Sequence, residues 1–301
     1  MKDVRANVAS VPLLAASRGT IGDYIGLTKP RLNLLVVATS AAGYYLGTPG
    51  APDILRMLEA ATGTALVAGG AAVLNQVAER ETDALMRRTR MRALPDGRVA
   101  CGDALLFGVL LSVAGIALLA TRANEVAAML AITTLVVYLT IYTPMKRRTS
   151  LATLVGAVPG ALPPLIGWTA SHGSISAGGA ALFAIVFLWQ IPHFMAIAWT
   201  YREDYARAGF PLLPVIEPEG RRAGRQAVLY TAALVPVSAV PALVGVSGAA
   251  YLTVALVLGF ALLFLAIRFA AVRSDLSARR LFFGSITYLP LLWIAMIADR
   301  L

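Results

Sequence analysis

The stretch LNQVAERETDALMRRTRMRALPDGR, residues 74–98, decides how the chain is read. It begins at the end of an apolar run of membrane-helix length, then sets out polar residues at helical spacing. Asn75, Glu79 and Asp83 are each four residues apart, so at 3.6 residues per turn they share one helix face. Arg80, Arg87, Arg88, Arg90, Arg92 and Arg98 crowd around and after them. Carboxylates at this spacing suit a hard divalent cation held through oxygen. Arginines beside them suit phosphate oxygens through bidentate contacts. Together they point to a magnesium–diphosphate site at a membrane surface. The same residues also describe an ordinary cytoplasmic loop whose arginines only set topology.

Composition narrows the field. The 301 residues are 58% hydrophobic and 14% charged, with mean hydropathy +0.73. That is too apolar for a soluble globular domain, and the length accommodates several spans of about 20 residues. In such a chain the net charge of +10 reports positive-inside loops and contact with anionic lipid or phosphate, so no nucleic-acid partner is expected. A single cysteine, Cys101, excludes an internal disulfide and a multi-cysteine metal site. Two histidines exclude a histidine-rich metal centre. Residues 1–20 read as a cytoplasmic tail rather than a cleaved signal peptide.

Nine apolar runs follow: 24–46, 54–77, 103–121, 126–142, 151–168, 180–201, 226–246, 249–271 and 281–298. All but Arg56, Arg122 and Arg300 of the 26 lysines and arginines lie in the tail or beside the loops after even-numbered runs. This asymmetry predicts an all-α integral membrane protein of nine transmembrane helices, N-terminus cytoplasmic and C-terminus outside. Residues 21–301 then form a single domain. Spans 2 and 6 echo each other, each ending in a loop that mixes acids with arginines, which suggests a weak internal duplication.

The remaining chemistry sits at the ends of spans 4 and 6. After span 4 comes YTPMKRRTS, 142–150, in which Tyr142 is expected to close the helix and Pro144 to break it. Lys146, Arg147 and Arg148 read either as a topology anchor or as a second hand on a diphosphate. GAVPGALPPLIGW, 156–168, has small residues for close helix approach. Its paired Pro163–Pro164 is expected to bend or interrupt the span, making room for a bulky ligand. Span 6 and its loop read FLWQIPHFMAIAWTYREDYARAGFPLLP, 187–214. His193 lies at membrane depth, where an imidazole needs a partner; it reads as a helix-to-helix hydrogen bond, a haem ligand or a group that orients a water. Tyr201 and Asp204, three apart, can face one site, whereas Glu203 points to solvent. Spans 7–9 wall the cavity, with Tyr288 and Trp293 either at the lipid interface or in the pocket.

At these residues the chain resembles the UbiA-type intramembrane prenyltransferases, and within them the haem-farnesylating branch, the haem O synthases. Three blocks carry the resemblance: Asn75 to Pro95; Tyr142 to Trp168; and Trp189 to Pro214, with PHF inside span 6. It implies a nine-helix bundle around a central cavity, in the cytoplasmic (inner) cell membrane, with the active-site loops on the cytoplasmic side. It implies farnesyl diphosphate and haem B as substrates, with haem O and diphosphate as products. Asn75, Glu79, Asp83 and Asp204 would be catalytic, with Mg²⁺ on Glu79, Asp83 and Asp204. Arg88, Arg92, Lys146, Arg147, Tyr142 and Tyr201 would bind the diphosphate. His193 would contact haem. The family's commonest acidic block has three aspartates where this chain has Glu79, Glu81 and Asp83. Ala152 stands where relatives usually carry asparagine. Membrane lipid is an implied partner, and docking of a downstream haem-modifying enzyme or a terminal-oxidase assembly stays open. So do two other readings: a UbiA-type enzyme acting on a quinone precursor, and a non-catalytic transporter or lipid-binding membrane protein.

Overall fold

The computed structural model describes residues 19–301; most of the expected cytoplasmic tail therefore lies outside the described residues. These are all-α apart from one antiparallel bridge between Ser247 and Arg300. The long helices are α1 Pro30–Gly47, α2 Ile54–Ala78, α3 Cys101–Arg122, α4 Glu125–Met145, α5 Ala152–His172, α6 Ala177–Thr200, α7 Arg221–Leu243, α8 Ala249–Val272 and α9 Asp275–Ala298. Seven of them, all but α1 and α5, are long and apolar enough to cross a membrane. The other two are diluted by polar or small residues: α1 opens with Arg31 and Asn33, and α5 carries Pro159, Pro163 and Pro164.

The helices pack as two groups. Helix α2 lies chiefly against α3, and α1 against α5, with α4 beside α5. Helices α6, α7, α8 and α9 pack in a closed circuit, and α5 joins the groups through α6. Lipid gives no hydrophobic drive between helices, so close backbone approach at small residues replaces it. At the α1–α5 crossing Gly43 lies against the Pro164 backbone and Gly167 against the Ser40 carbonyl. Neither position has room for a Cβ.

Three local expectations are corrected, and the open placement of Tyr288 and Trp293 is decided. The first apolar run is not one helix: Ile21–Leu27 is a separate short helix, because Pro30 disfavours the α conformation at Lys29, which sits at φ 50, ψ 57. The Pro163–Pro164 pair does not interrupt α5, which is assigned as helix throughout and is held by its packing on α1. Pro144 does not break α4 either; the helix reaches Met145 through a π-helical turn at Val137–Tyr142. Tyr288 and Trp293 are both buried rather than at the lipid face. The Tyr288 hydroxyl lies 2.6 Å from Ser238 Oγ, and Tyr251 donates to the Ser238 carbonyl, also at 2.6 Å.

The crossing makes a direct prediction. Gly167→Ala forces a methyl into the Ser40 backbone, and overpacking of this kind costs about 1–3 kcal/mol. Its thermal unfolding midpoint in detergent falls below wild type. Gly102→Ala, where a Cβ meets nothing within 4 Å, does not lower it. Equal midpoints for the two variants would remove the crossing from the fold's determinants.

Candidate active site

Helix α2 ends at Glu79, whose φ −102 and ψ 9 leave the helical region, and a six-residue helix, Arg80–Leu85, follows. The Asp83 amide still donates to the Glu79 carbonyl at 2.8 Å, so the four-residue spacing holds across the break. Asn75 Nδ2 donates to Glu79 Oε2 at 2.8 Å, and the Thr143 hydroxyl donates to Asn75 Oδ1 at 2.9 Å. Lys146 Nζ donates to Glu79 Oε1 at 2.8 Å, and Arg92 Nη1 to Asp83 Oδ2 at 2.7 Å. Asn75 and Asp83 are each only 1% exposed. Residues from the ends of α2 and α4 and from the 86–98 loop thus meet in one polar cluster.

The π turn in α4 supplies the far wall. One extra residue per turn shifts the last turn around the helix axis, and the Thr143 amide bonds back to the Tyr138 carbonyl. Lys146 Nζ lies 4.5 Å from the centre of the Tyr142 ring, and that ring rests on Gly156 of α5. Burial alone would lower the Lys146 pKa, but the Glu79 carboxylate in contact with it lifts it above its ordinary value.

Lys29 belongs to the same cluster and was not anticipated. Gln76 Nε2 donates to the Leu27 carbonyl at 2.6 Å, which pins the bend before α1 onto α2. The bend holds Lys29 in the left-handed region, at a cost of roughly 1–2 kcal/mol. A cleft of about 200 Å³ is lined by Lys29, Gln76, Arg92 and Arg98 among others. Burial pushes the Lys29 ammonium down to about 8; repulsion from Arg92 and Lys146 adds to this, and Glu79 and Asp83 oppose it. The signal in the sequence was a lysine before proline inside an apolar run.

The end of α6 repeats the plan of α2. Tyr201 breaks the helix at φ −108, ψ 21, and a six-residue helix, Arg202–Arg207, follows. Asp204 is 8% exposed; its Oδ1 pairs with Arg207 and accepts from the Arg87 amide at 3.3 Å. Burial would raise the Asp204 pKa, yet Arg207 and the backbone amides of Arg87 and Arg88 hold it below the usual carboxylate range. Arg88 stands 5.3 Å from the centre of the Tyr201 ring. Asp204 and Tyr201 therefore face the arginine loop, as their spacing suggested, and Glu203 is exposed.

Other expected members stand apart. Arg147 is exposed, and none of its contacts among the described residues joins it to the cluster. Ala152 is buried at the start of α5 and offers no polar group. Among the described residues no three Asp, Glu, His or Cys side chains stand close enough to hold one ion. Glu79, Asp83 and Asp204 thus do not gather into a three-carboxylate site in the empty cluster, where each is paired with a different cation: Lys146, Arg92 and Arg207. Glu79 and Asp83 still fit a divalent cation: both offer hard oxygen donors, and an ion that shares phosphate oxygens needs only one or two protein carboxylates.

His193 lies deeper in α6. Its ring is stacked between Trp189 and Phe282, each centroid 5.0 Å away. Its Nδ1 is 2.8 Å from Ser285 Oγ, and Ser285 donates its one proton to the Phe282 carbonyl at 2.7 Å. The Nδ1–Ser285 contact ties α6 to α9. The expected helix-to-helix hydrogen bond is present.

Known proteins can now be set beside this geometry. Residues 36–289 match the UbiA prenyltransferase family. The chain is 49% identical over 287 residues to the protoheme IX farnesyltransferase of Solibacter usitatus, covering 92% of this chain and 98% of that one. A solved structure concerned with digeranylgeranylglyceryl phosphate synthase superposes with TM-score 0.79 at 17% identity, over 93% of this chain and 98% of that one. A UbiA homologue from Archaeoglobus fulgidus, bound to GPP and Mg²⁺, superposes with TM-score 0.66 at 18% identity, over 92% and 99%. With its fold shared by these structures and most of its length matched, this chain belongs to the UbiA prenyltransferase family.

Proposed function

We propose that this protein transfers the farnesyl group of farnesyl diphosphate to a vinyl side chain of haem B, with addition of water, giving haem O and diphosphate. The observation that carries the reading is the 49% identity to a protoheme IX farnesyltransferase across nearly its whole length. The cluster at the mouths of α2, α4 and α6 supplies chemistry suited to it. The protein is read as nine crossings of the cytoplasmic membrane, with these mouths facing the cytoplasm and the N-terminus on the same side.

Lys29, Arg88, Arg92 and Lys146 bind the diphosphate, with Tyr142 and Tyr201 as the aromatic faces that hold Lys146 and Arg88 in place. Glu79 and Asp83, steadied by Asn75, hold Mg²⁺. When bound, Mg²⁺ supplies Lewis-acid charge against the oxygens of the leaving diphosphate. Asp204 positions the arginine loop through Arg207 and the Arg87 amide, a different role from the metal ligand first expected. As the C1–O bond of the farnesyl group breaks, its electron pair leaves with the diphosphate, and the fixed cations stabilise that charge. The vinyl π electrons form the new bond to C1. The cation left beside the porphyrin ring takes a hydroxyl from water, which releases a proton. His193 Nε2 contacts haem, as iron ligand or as acceptor from that water.

Three outcomes test the assignments. Asp83→Asn lowers turnover by at least about 100-fold, the scale of losing one transition-state charge contact, while the protein still inserts and folds; product chromatography with haem B and farnesyl diphosphate reads it, and near-normal turnover would refute the metal role. Lys29→Met raises the KM for farnesyl diphosphate by about tenfold, as one charged contact is lost. In the wild type that KM climbs as pH rises through about 8, because Lys29 loses its charge, and the variant lacks this inflection. Its persistence in the variant would exonerate Lys29. His193→Ala weakens haem binding in a Soret titration and leaves diphosphate binding intact. Equal loss of both would make the residue structural.

A further inference from the structure

Between the loop-side ends of α6 and α9 lies a cavity of about 420 Å³, lined by Ile197, Thr200, Tyr201, Arg279, Phe282 and Phe283. That volume is within the range of ligand pockets. Tyr201 at one end also lies 5.3 Å, ring centre to guanidinium, from Arg88, so one lining residue is shared with the arginine loop. At the other end Phe282 is stacked on His193. Phe283 meets Phe282 edge-on at 5.4 Å and is 63% exposed. An exposed phenylalanine and an arginine thus frame an open cleft that adjoins the reacting end of the cluster.

Arg279 is the cation among the residues that line the cleft. It makes no ion pair among the described residues. The carboxylate one turn before it, Asp275, is taken: its Oδ1 accepts from Arg202 Nη1 at 2.9 Å and from Trp199 Nε1 at 3.0 Å. Arg202 also lies 4.9 Å from the Trp199 ring. The pairing that ties α6 to α9 therefore leaves the Arg279 guanidinium facing the cleft.

We propose that this cleft is the acceptor subsite and that Arg279 binds the propionate carboxylates of haem. The proposal rests on the farnesyl-transfer reading above and adds the acceptor's place and orientation. Haem is a flat apolar ring with two carboxylates on one edge and two vinyl groups on the opposite edge. Carboxylates are costly in hydrocarbon, so the propionate edge stays at the polar rim, where a guanidinium offers bidentate contacts. The ring lies along Phe282 and Phe283. The vinyl edge then points into the bundle, beside the first carbon of a farnesyl chain whose diphosphate shares the same rim. Both charged substrate heads sit at one surface and both apolar bodies lie below it.

Binding read without turnover tests this on the full-length protein in detergent, with haem B and its dimethyl ester as probes. Wild type binds the ester about tenfold more weakly than haem B in a Soret titration, the loss of one charge-assisted contact. Arg279→Gln binds haem B about tenfold more weakly than wild type and no longer distinguishes it from the ester, and Arg279→Lys falls between. Affinity for farnesyl diphosphate stays at the wild-type value in both variants, which shows that the fold is intact. Wild-type affinity for haem B in Arg279→Gln, or undiminished discrimination against the ester, would overturn the proposal. Absence of farnesylated haem from wild-type turnover would instead overturn the reaction itself, and the titrations would still report on Arg279.

Discussion

A carboxylate set among apolar helices needs a cation in contact, and that need shapes the loop-side end of this protein. Glu79 meets Lys146, Asp83 meets Arg92 and Asp204 meets Arg207. Removing one member of a buried pair leaves an uncompensated charge, at a cost of about 3–5 kcal/mol. The Glu79–Lys146 pair spans 67 positions of sequence, so it fixes the mouth of α4 against the mouth of α2. The three basic residues on the opposite side are satisfied just as locally. Arg56 donates to the Arg122 carbonyl at 2.9 Å, Arg122 reaches Glu59 at 3.6 Å, and Arg300 caps the carbonyls of Thr48 and Gly50. The few cations outside the cluster's side are thus structural ties rather than free charges.

Backbone irregularity concentrates at the same end. The left-handed Lys29, the breaks at Glu79 and Tyr201 and the π turn of α4 all border the polar cluster. Each departs from the regular helix that an apolar environment favours, since freed backbone groups have no water to bond there. Two of them are satisfied by a neighbour: Gln76 holds the Leu27 carbonyl, and the Thr143 amide holds the Tyr138 carbonyl. Strain of this kind persists where the surroundings over-determine it, and it marks functional sites. The twin breaks after α2 and α6, each followed by six helical residues, give the suspected duplication a concrete form.

Much of this was legible in the residues because it depends on spacing and charge. The four-residue spacing of Asn75, Glu79 and Asp83 survived the helix break, and Tyr201 and Asp204 turned to the arginine loop. What was illegible depends on backbone geometry and tertiary pairing. Lys29 was hidden by the apolar run around it, though Pro30 marked the break. The π turn has no compositional signature, so Pro144 read as a stop. Arg147 and Lys146 are adjacent and chemically alike, and only the turn of the helix decides which faces Glu79. Spacing reports which residues share a face, not which cation each carboxylate will find first.

The paired resting state bears on how the cluster receives its ligand. Glu79 and Asp83 hold Lys146 and Arg92 already in place, so ordering entropy for those side chains is met on folding rather than on binding. On the proposed function, a diphosphate that arrives with a divalent cation would exchange partners: lysine and arginine would turn to phosphate oxygens, and the carboxylates to the cation. Lys29 differs: it is a half-buried ammonium with like charges near it and a pKa held down to about 8. An anion in the cluster relieves that repulsion and favours the charged lysine. Lys29, held at a disadvantage by the fold, would therefore gain from a bound diphosphate, and its cost in the empty site would become selectivity for the filled one.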